Sequence, residues 1–113
     1  MGAGELQIDT RQLEGTTVIE VRGEVDLATV GDLVRTAEEA MPRDGTLELD
    51  LRAVDFMDSA GVAAVNRIRR LTLEHETTLV LRCTVGGPVA QLVEWTGLDR
   101  VIDVRLEAAP ASA

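Results

Sequence analysis

The sequence predicts an α/β fold in which helices pack on a mixed, mostly parallel β-sheet. Segments whose apolar and polar residues alternate, as in strands, take turns along the chain with segments whose apolar residues recur at helical spacing. The first two strand-like segments are separated only by a short turn, which indicates an antiparallel hairpin. Each later strand follows a helix, and such connections are right-handed crossovers between parallel strands.

The length and composition favour a single domain. The chain has 113 residues, of which 45% are hydrophobic, so it can bury one ordinary core. We expect one domain over residues 1–113 with its core at residues 6–106. Residues 1–5 and the tail from residue 107 are expected to be frayed.

The N-terminal part of the chain predicts the hairpin and a first helix. Alternation at residues 6–11 and 17–22 gives the two strands of the hairpin. After residues 23–29 comes a helix that is stopped by Pro42 and the following Asp-Gly turn. Its apolar positions are Val30, Leu33, Val34, Ala37 and Met41.

The stretch from residue 47 to residue 71 carries the main candidate site. Leucines alternate with acidic residues over residues 47–51, as in a strand, and a loop then ends in Asp58-Ser59. Apolar residues at helical spacing from residue 60 onward predict a helix that starts just after the serine. Ser59 is therefore expected to be the exposed N-cap of this helix, and Gly61 is expected to leave the surface of the turn without a side chain.

The C-terminal part predicts one more buried strand, a short helix and an edge strand. The strand covers residues 78–84, and Gly86-Gly87-Pro88 breaks the chain before the helix. Gly97 is well placed to cap the C-terminus of that helix. Residues 101–106 alternate as in an edge strand.

Two loops follow the carboxyl ends of predicted strands and lead into helices. One carries Asp26 and the other carries Asp58 and Ser59. In open α/β sheets binding sites form at this edge. If the two strands are neighbours, Asp26 and Ser59 face the same partner.

Charge and composition exclude several classes of function. The net charge of −9 and the presence of only two aromatic residues, Phe56 and Trp95, disfavour nucleic-acid binding, which needs basic and stacking side chains. The sequence has neither a run of about 18 apolar residues nor a signal peptide, so we expect a cytoplasmic protein without a membrane anchor. Cys83 lies in an apolar segment and is expected to be a small core residue.

Alternative readings of Ser59 remain at this point. Taken alone, a serine before a helix is a structural cap. A nucleophilic serine needs a base, but the single histidine, His75, follows the far end of the predicted helix. An acyl carrier protein also has an Asp-Ser pair before a helix, but such proteins are all helical and this chain has strands. No metal-ligand cluster or phosphate-binding glycine loop is present in the sequence, so we predict no catalytic residue, metal or cofactor.

Three sequence segments in order resemble the STAS domain family, and most of all its stand-alone anti-sigma factor antagonists. They are Gly-Glu-Val-Asp at residues 23–26, residues 54–62 (VDFMDSAGV) after Leu-Asp-Leu, and Thr-Gly-Leu-Asp-Arg at residues 96–100. Val62 stands where the family usually has leucine, and the loop at residues 74–77 lacks the glycines often found there.

The resemblance implies a mixed sheet with helices and a regulatory role. It implies that Ser59 is phosphorylated by an anti-sigma factor that is a serine kinase, and that a serine phosphatase reverses this. It also implies that Asp26, Asp58 and Gly61 lie with Ser59 on the surface that binds the partner. A STAS scaffold that binds a partner without phosphorylation is the alternative.

Overall fold

The computed structural model describes residues 5–110, which form a five-stranded sheet and three α-helices. The strands are β1 (Leu6–Leu13), β2 (Thr16–Val25), β3 (Thr46–Met57), β4 (Thr78–Thr84) and β5 (Asp103–Glu107). The helices are α1 (Val30–Ala40), α2 (Ser59–Glu74) and α3 (Pro88–Thr96), and a short 3₁₀ helix covers Leu98–Arg100.

The sheet has the strand order β1-β2-β3-β4-β5, with β1 antiparallel to β2 and every other pair parallel. Because the three crossovers all step in the same direction, right-handed connections place all three helices on one face of the sheet. The buried apolar residues of the helices and of that sheet face accordingly form one core cluster. The predicted α/β class with a mixed, mostly parallel sheet is confirmed.

The central strand is longer than the sequence predicted. Residues 52–57 were expected to be a loop, but β3 continues to Met57 because β2 also extends, to Val25, and pairs with it. The pairing passes two shifts in register, the second of them next to Gly23. Gly23 has φ +110, and a Cβ there would lie 2.3 Å from the Glu5 carbonyl oxygen, so only glycine fits this irregularity.

The C-terminal end also differs from the expected frayed tail. Glu107 is the last residue of β5, and its carbonyl oxygen accepts a hydrogen bond from the Val85 amide at 2.9 Å. Residues 108–110 have no regular structure, yet Pro110 lines a polar cavity of about 190 Å³ together with Asp9 and Glu20 of the hairpin. The rest of the predicted tail, and residues 1–4, lie outside the described residues.

The sheet face opposite the helices carries a network of ion pairs. Arg52 donates hydrogen bonds to both carboxylate oxygens of Asp50, each at 2.9 Å. Arg82 bridges Glu107, at 2.6 Å, and Glu48, at 3.1 Å. Burial would raise the pKa of Asp50, but the hydrogen bonds and charges of Arg52, with the charge of Arg82, outweigh it and hold that pKa below its usual range.

Two further expectations concern the apolar parts of the chain. Cys83 is fully buried in the core, as predicted, and burial raises the pKa of its thiol to about 11, so the thiol stays protonated. Within residues 5–110 no helix has the length and apolar character needed to cross a bilayer.

Candidate functional site

The N-terminus of α2 is built around the side chain of Asp58. Asp58 has extended backbone angles (φ −116, ψ −168), and its Oδ1 accepts hydrogen bonds from the amides of Ala60 at 2.9 Å and Gly61 at 3.4 Å. Asp58 is therefore the N-cap, and α2 begins at Ser59. The prediction that Ser59 is the N-cap is wrong by one residue. Aspartate and serine can both cap a helix, and here the Asp58 carboxylate accepts the hydrogen bonds from the amides of the first turn.

Ser59 is exposed at the first position of α2, as expected. Since the Asp58 carboxylate accepts the cap hydrogen bonds, the Ser59 hydroxyl is not required for capping. The half-buried Asp58 carboxylate fixes the helix start, and with it the place of the serine, while the hydroxyl stays accessible to another protein.

Gly61 does not lie on an open surface, in contrast to the expectation. It is buried, and a Cβ at this position would lie 2.5 Å from Met57 Cγ and 3.1 Å from Val25 Cγ1. The glycine lets the first turn of α2 pack directly on the ends of β2 and β3. Any contribution of Gly61 to partner binding would thus act through the position of Ser59.

The loop that carries Asp26 is fixed by a local hydrogen-bond network. Asp26 Oδ1 accepts from the Ala28 amide at 3.0 Å, and the Asp26 amide donates to Thr29 Oγ1 at 3.0 Å. The Thr29 hydroxyl donates to the Glu24 carbonyl oxygen at 2.8 Å. Thr29 is buried and ties the end of β2 to the start of α1, a role that the sequence analysis missed although Asp and Thr close together in a loop often bond to nearby backbone groups.

The structure brings the two loops together at the carboxyl edge of the sheet. Val25 and Met57, the last residues of β2 and β3, are paired in register, and the Asp58 amide donates to the Val25 carbonyl oxygen at 3.3 Å. The two strands are therefore neighbours, which is the condition that the sequence analysis set for Asp26 and Ser59 to face the same partner. Each loop carries one aspartate at this edge, and Asp58 directly precedes the exposed serine.

An apolar groove between α1 and α2 borders the same edge. It has a volume of about 620 Å³, and its apolar lining includes Leu27, Val30, Val34, Ala60 and Ala63. Leu27 is 83% exposed, and Phe56, near the end of β3, is 47% exposed. The sequence analysis did not identify Leu27 as a surface residue of interest. Its position in a loop, directly after Asp26, could have indicated an exposed apolar side chain.

Residues 7–113 match the family model of the STAS domain. The chain belongs to the STAS domain family. A search of curated protein sequences found no match.

Several solved structures have the fold of this STAS domain. An anti-sigma factor antagonist from Mycobacterium paratuberculosis superposes with a TM-score of 0.80 at 20% identity, over 89% of this chain and 86% of the other. The anti-sigma factor antagonist SpoIIAA in its unphosphorylated form gives a TM-score of 0.64 at 22% identity, over 89% and 90%. An antisigma-factor antagonist STAS domain from Rhodobacter sphaeroides gives 0.57 at 15% identity, over 69% and 86%.

The three segments that carried the resemblance lie in two different places in this STAS domain. Residues 23–26 and 54–62 meet at the edge that holds Ser59. Residues 96–100 begin with the last residue of α3, where Gly97 is the left-handed cap with φ +71 and Leu98 is buried. Helix α3 starts after the carboxyl end of β4 and runs antiparallel to the strand. The third segment therefore lies at the amino-terminal ends of the parallel strands, away from Ser59, and has a structural role.

The STAS domain does not bring a histidine to Ser59. His75 caps the C-terminus of α2, and its Nδ1 lies 2.9 Å from the Leu71 carbonyl oxygen. The helix between the two residues has 16 residues and is about 24 Å long. A hydrolase that uses these two side chains is excluded by this distance.

Proposed function

We propose that this STAS domain is an anti-sigma factor antagonist. In its unphosphorylated form it binds an anti-sigma factor that is also a serine kinase, and this releases a sigma factor. Phosphorylation of Ser59 by that kinase breaks the complex, and a serine phosphatase restores the binding form. The chain is a substrate and a binding partner in this cycle, with no catalysis of its own.

The observation that carries the proposal is the geometry of Ser59. The hydroxyl is exposed at the first position of α2, while the backbone on either side is held by the Asp58 cap and by the packing of Gly61 on Met57. A kinase that acts on folded protein needs an accessible hydroxyl in a defined place. The likeness to structures described as anti-sigma factor antagonists supports the same function.

The surroundings of Ser59 favour a switch that works by charge. A phosphate would add about 1.5 to 2 negative charges beside Asp58. Asp58 Oδ1 already accepts from the amides of Ala60 and Gly61, so the phosphate would compete with this carboxylate for the amides of the first turn. The first basic residue of α2 is Arg67, eight residues and about 12 Å further along the helix.

The surface around Ser59 has the composition expected of an interface. The exposed side chain of Leu27 and the groove between α1 and α2 provide apolar surface, and Arg35, Glu38 and Arg67 provide charged groups in the lining of this groove. A partner docked here would meet a dianion in the middle of the contact after phosphorylation. A loss of even about 3 kcal/mol of binding free energy would weaken the complex by roughly two orders of magnitude.

The first experiment is mass spectrometry of the protein isolated from its own host with phosphatases inhibited. We expect a fraction of molecules with one phosphoryl group at Ser59, and this fraction should change with growth conditions. Complete absence of the modification, with the peptide that contains Ser59 well covered, would contradict the kinase part of the proposal and favour a scaffold that is not phosphorylated.

A set of three variants then tests the electrostatic switch. Ser59→Asp should lose at least about tenfold in affinity for the anti-sigma factor, because a charge is placed in the contact. Ser59→Asn, which has a similar size and no charge, and Ser59→Ala should bind like the wild type. Titration calorimetry with the purified partner measures all three. Equal weakening by aspartate and asparagine would mean that shape, and not charge, controls the contact.

A further inference from the structure

The outer edge of β5 is free of strand partners within the described residues. β5 is the last strand of the sheet and pairs only with β4. The Val85 amide donates to the Glu107 carbonyl oxygen, so backbone groups of Glu107 face β4. Because backbone groups alternate in direction along a strand, those of Arg105 also face β4, and those of Val104 and Leu106 face outward. An open edge of this kind can pair with another strand.

Apolar surface lies beside this edge. Leu106 is 56% exposed, although it is in the strand. Together with Val104 it lines a groove of about 390 Å³ between α3 and β5, whose other lining residues include Ala90 and Val93. The acidic residues that line this groove, Glu94 and Asp99, come from α3 and the 3₁₀ helix, while the strand itself contributes only the apolar Val104 and Leu106 to it.

The charged residues on the other face of β5 are complementary to the same residues of a second copy of this chain. Asp103 and Arg105 flank Val104, and in the chain they form an exposed ion pair with each other at 3.3 Å. If two β5 strands lie antiparallel with Val104 opposite Val104, then Asp103 of each copy lies opposite Arg105 of the other. The contact is then self-complementary about a two-fold axis, as a symmetric dimer requires.

We propose that two copies of this chain pair through the outer edges of their β5 strands, antiparallel and centred on Val104, to form a continuous ten-stranded sheet. The two Val104 residues then exchange backbone hydrogen bonds at the axis. The Asp103 and Arg105 pairs occupy the adjacent non-hydrogen-bonded positions, where side chains of opposite strands are closest. On the helix side, Leu106 of each copy lies diagonally across the axis from Val104 of the other copy, so that the exposed part of Leu106 is covered.

The other edge of the sheet has a similar charge pattern but is less suited to pairing. In β1, Asp9 and Arg11 flank Thr10. Arg11 is already paired across the strands with Glu20 at 3.0 Å, and Asp9 lines the polar cavity near Pro110. The exposed large apolar residue of β1 is Leu13, which lies at its end. This edge therefore supplies a matched control.

Analytical ultracentrifugation of the full chain tests the dimer. A contact of this size binds weakly, so the series should reach about 1 mM protein. Each copy carries a net charge of −9, so the buffer needs at least about 0.15 M salt to screen the repulsion. We expect the mass of the wild type to rise with concentration from 12.2 kDa toward twice that value.

Charge reversal gives the decisive comparison. Arg105→Glu and Asp103→Arg should each remain monomeric, because like charges then face each other across the axis. A mixture of the two variants should dimerise, because opposite charges are restored at both pairs. Repair of the ion pair within one chain cannot produce this result, since each chain in the mixture keeps its own like-charged pair. Leu106→Glu, at an exposed position, should also be monomeric.

Circular dichroism tests whether the variants are folded. As the control on the other edge of the sheet, Arg11→Glu in β1 should dimerise like the wild type. A wild type that stays at its monomer mass up to about 1 mM would overturn the proposal. So would a mixture that associates no better than its components, or a dimer that is lost on Arg11→Glu. These results are independent of the phosphorylation of Ser59, which lies at a different edge of the molecule.

Discussion

Asp58 is the side chain on which the position of the Ser59 hydroxyl depends. Its carboxylate accepts from the amide of Ala60 at the start of α2, and it shares the amide of Gly61 with the Asp58 carbonyl oxygen, which lies 3.0 Å from that amide nitrogen. The serine itself supplies none of the cap hydrogen bonds. The residue proposed to be phosphorylated and the residue that caps the helix are thus separate, so a change at Ser59 can alter the surface without altering the helix.

This separation predicts different stabilities for neighbouring substitutions. Asp58→Ala should lower the free energy of unfolding by about 1 kcal/mol through loss of the cap. Ser59→Ala should change it by less than about 0.5 kcal/mol. Asp58→Asn, whose side-chain oxygen can still accept from the amides, should be close to the wild type. Urea unfolding followed by circular dichroism measures all three, and a greater effect at Ser59 than at Asp58 would contradict the assigned cap.

The first turn of α2 rests on the ends of β2 and β3 through Gly61. A Cβ at this position would lie 2.5 Å from Met57 Cγ, and Met57 is itself buried. We expect Gly61→Ala to destabilise the fold by about 1 kcal/mol, because overpacking of about 1 to 3 kcal/mol exceeds the gain in helix propensity. Thermal and urea unfolding measure the effect.

Two controls show whether the contact with Met57 is the cause. Gly31→Ala in α1 has the same gain in propensity, and its Cβ would meet nothing within 4 Å, so it should be neutral or stabilise the fold. Met57→Ala should remove part of the damage in a double variant with Gly61→Ala, because the methionine side chain is the obstacle. Additive effects in the double variant would place the strain elsewhere.

The ion-pair network on the sheet face opposite the helices connects β3, β4 and β5. Glu48, Asp50 and Arg52 come from β3, Arg82 from β4 and Glu107 from the end of β5. By the strand register, Val18 and Val80 lie on this face on either side of Glu48, and both are buried although no helix covers them. These two valines are thus buried outside the main core cluster, on the sheet face that carries the ion pairs.

This network predicts how the stability of the whole molecule depends on pH. The pKa of Asp50 is lowered in the folded chain by Arg52 and Arg82 against the opposing effect of burial, and Arg82 and Arg52 also lower the pKa of Glu107. The unfolded chain therefore binds more protons in the acidic range. The stabilising contribution is complete above the ordinary carboxyl pKa of about 4 and is lost as the pH falls through the lowered values.

Urea unfolding at a series of pH values between about 2 and 7 measures this dependence. The free energy of unfolding should be nearly constant at the upper end and should decrease below about pH 4. Asp50→Asn should be less stable at neutral pH by about 1 to 3 kcal/mol, because Arg52 loses its charged hydrogen-bond partner and keeps the longer ion pair with Glu107 at 3.6 Å. Its acid dependence should be weaker than that of the wild type. An unchanged acid dependence would mean that other carboxylates control it.

The arrangement of the whole chain follows from patterns that are local in sequence. Alternation at the hairpin and helical spacing at Val30, Leu33 and Ala37 led to the correct elements and, with right-handed crossovers, to the correct class of fold. Element ends were less predictable. The strand character of residues 52–57 depends on pairing with β2 and carries little alternation of its own, so it was expected to be a loop.

The sequence alone determined the fold class, the family and the candidate residues Asp26, Asp58 and Ser59, because periodicity, turn residues and motif order are properties of the chain. Tertiary structure decided which residue caps α2, that Gly61 is buried and that Leu27 and the β5 edge are exposed. The physical reason is that these features depend on atoms from distant parts of the chain. Such atoms decide which of two adjacent side chains caps the helix, how much space surrounds a glycine and whether an edge strand has a partner.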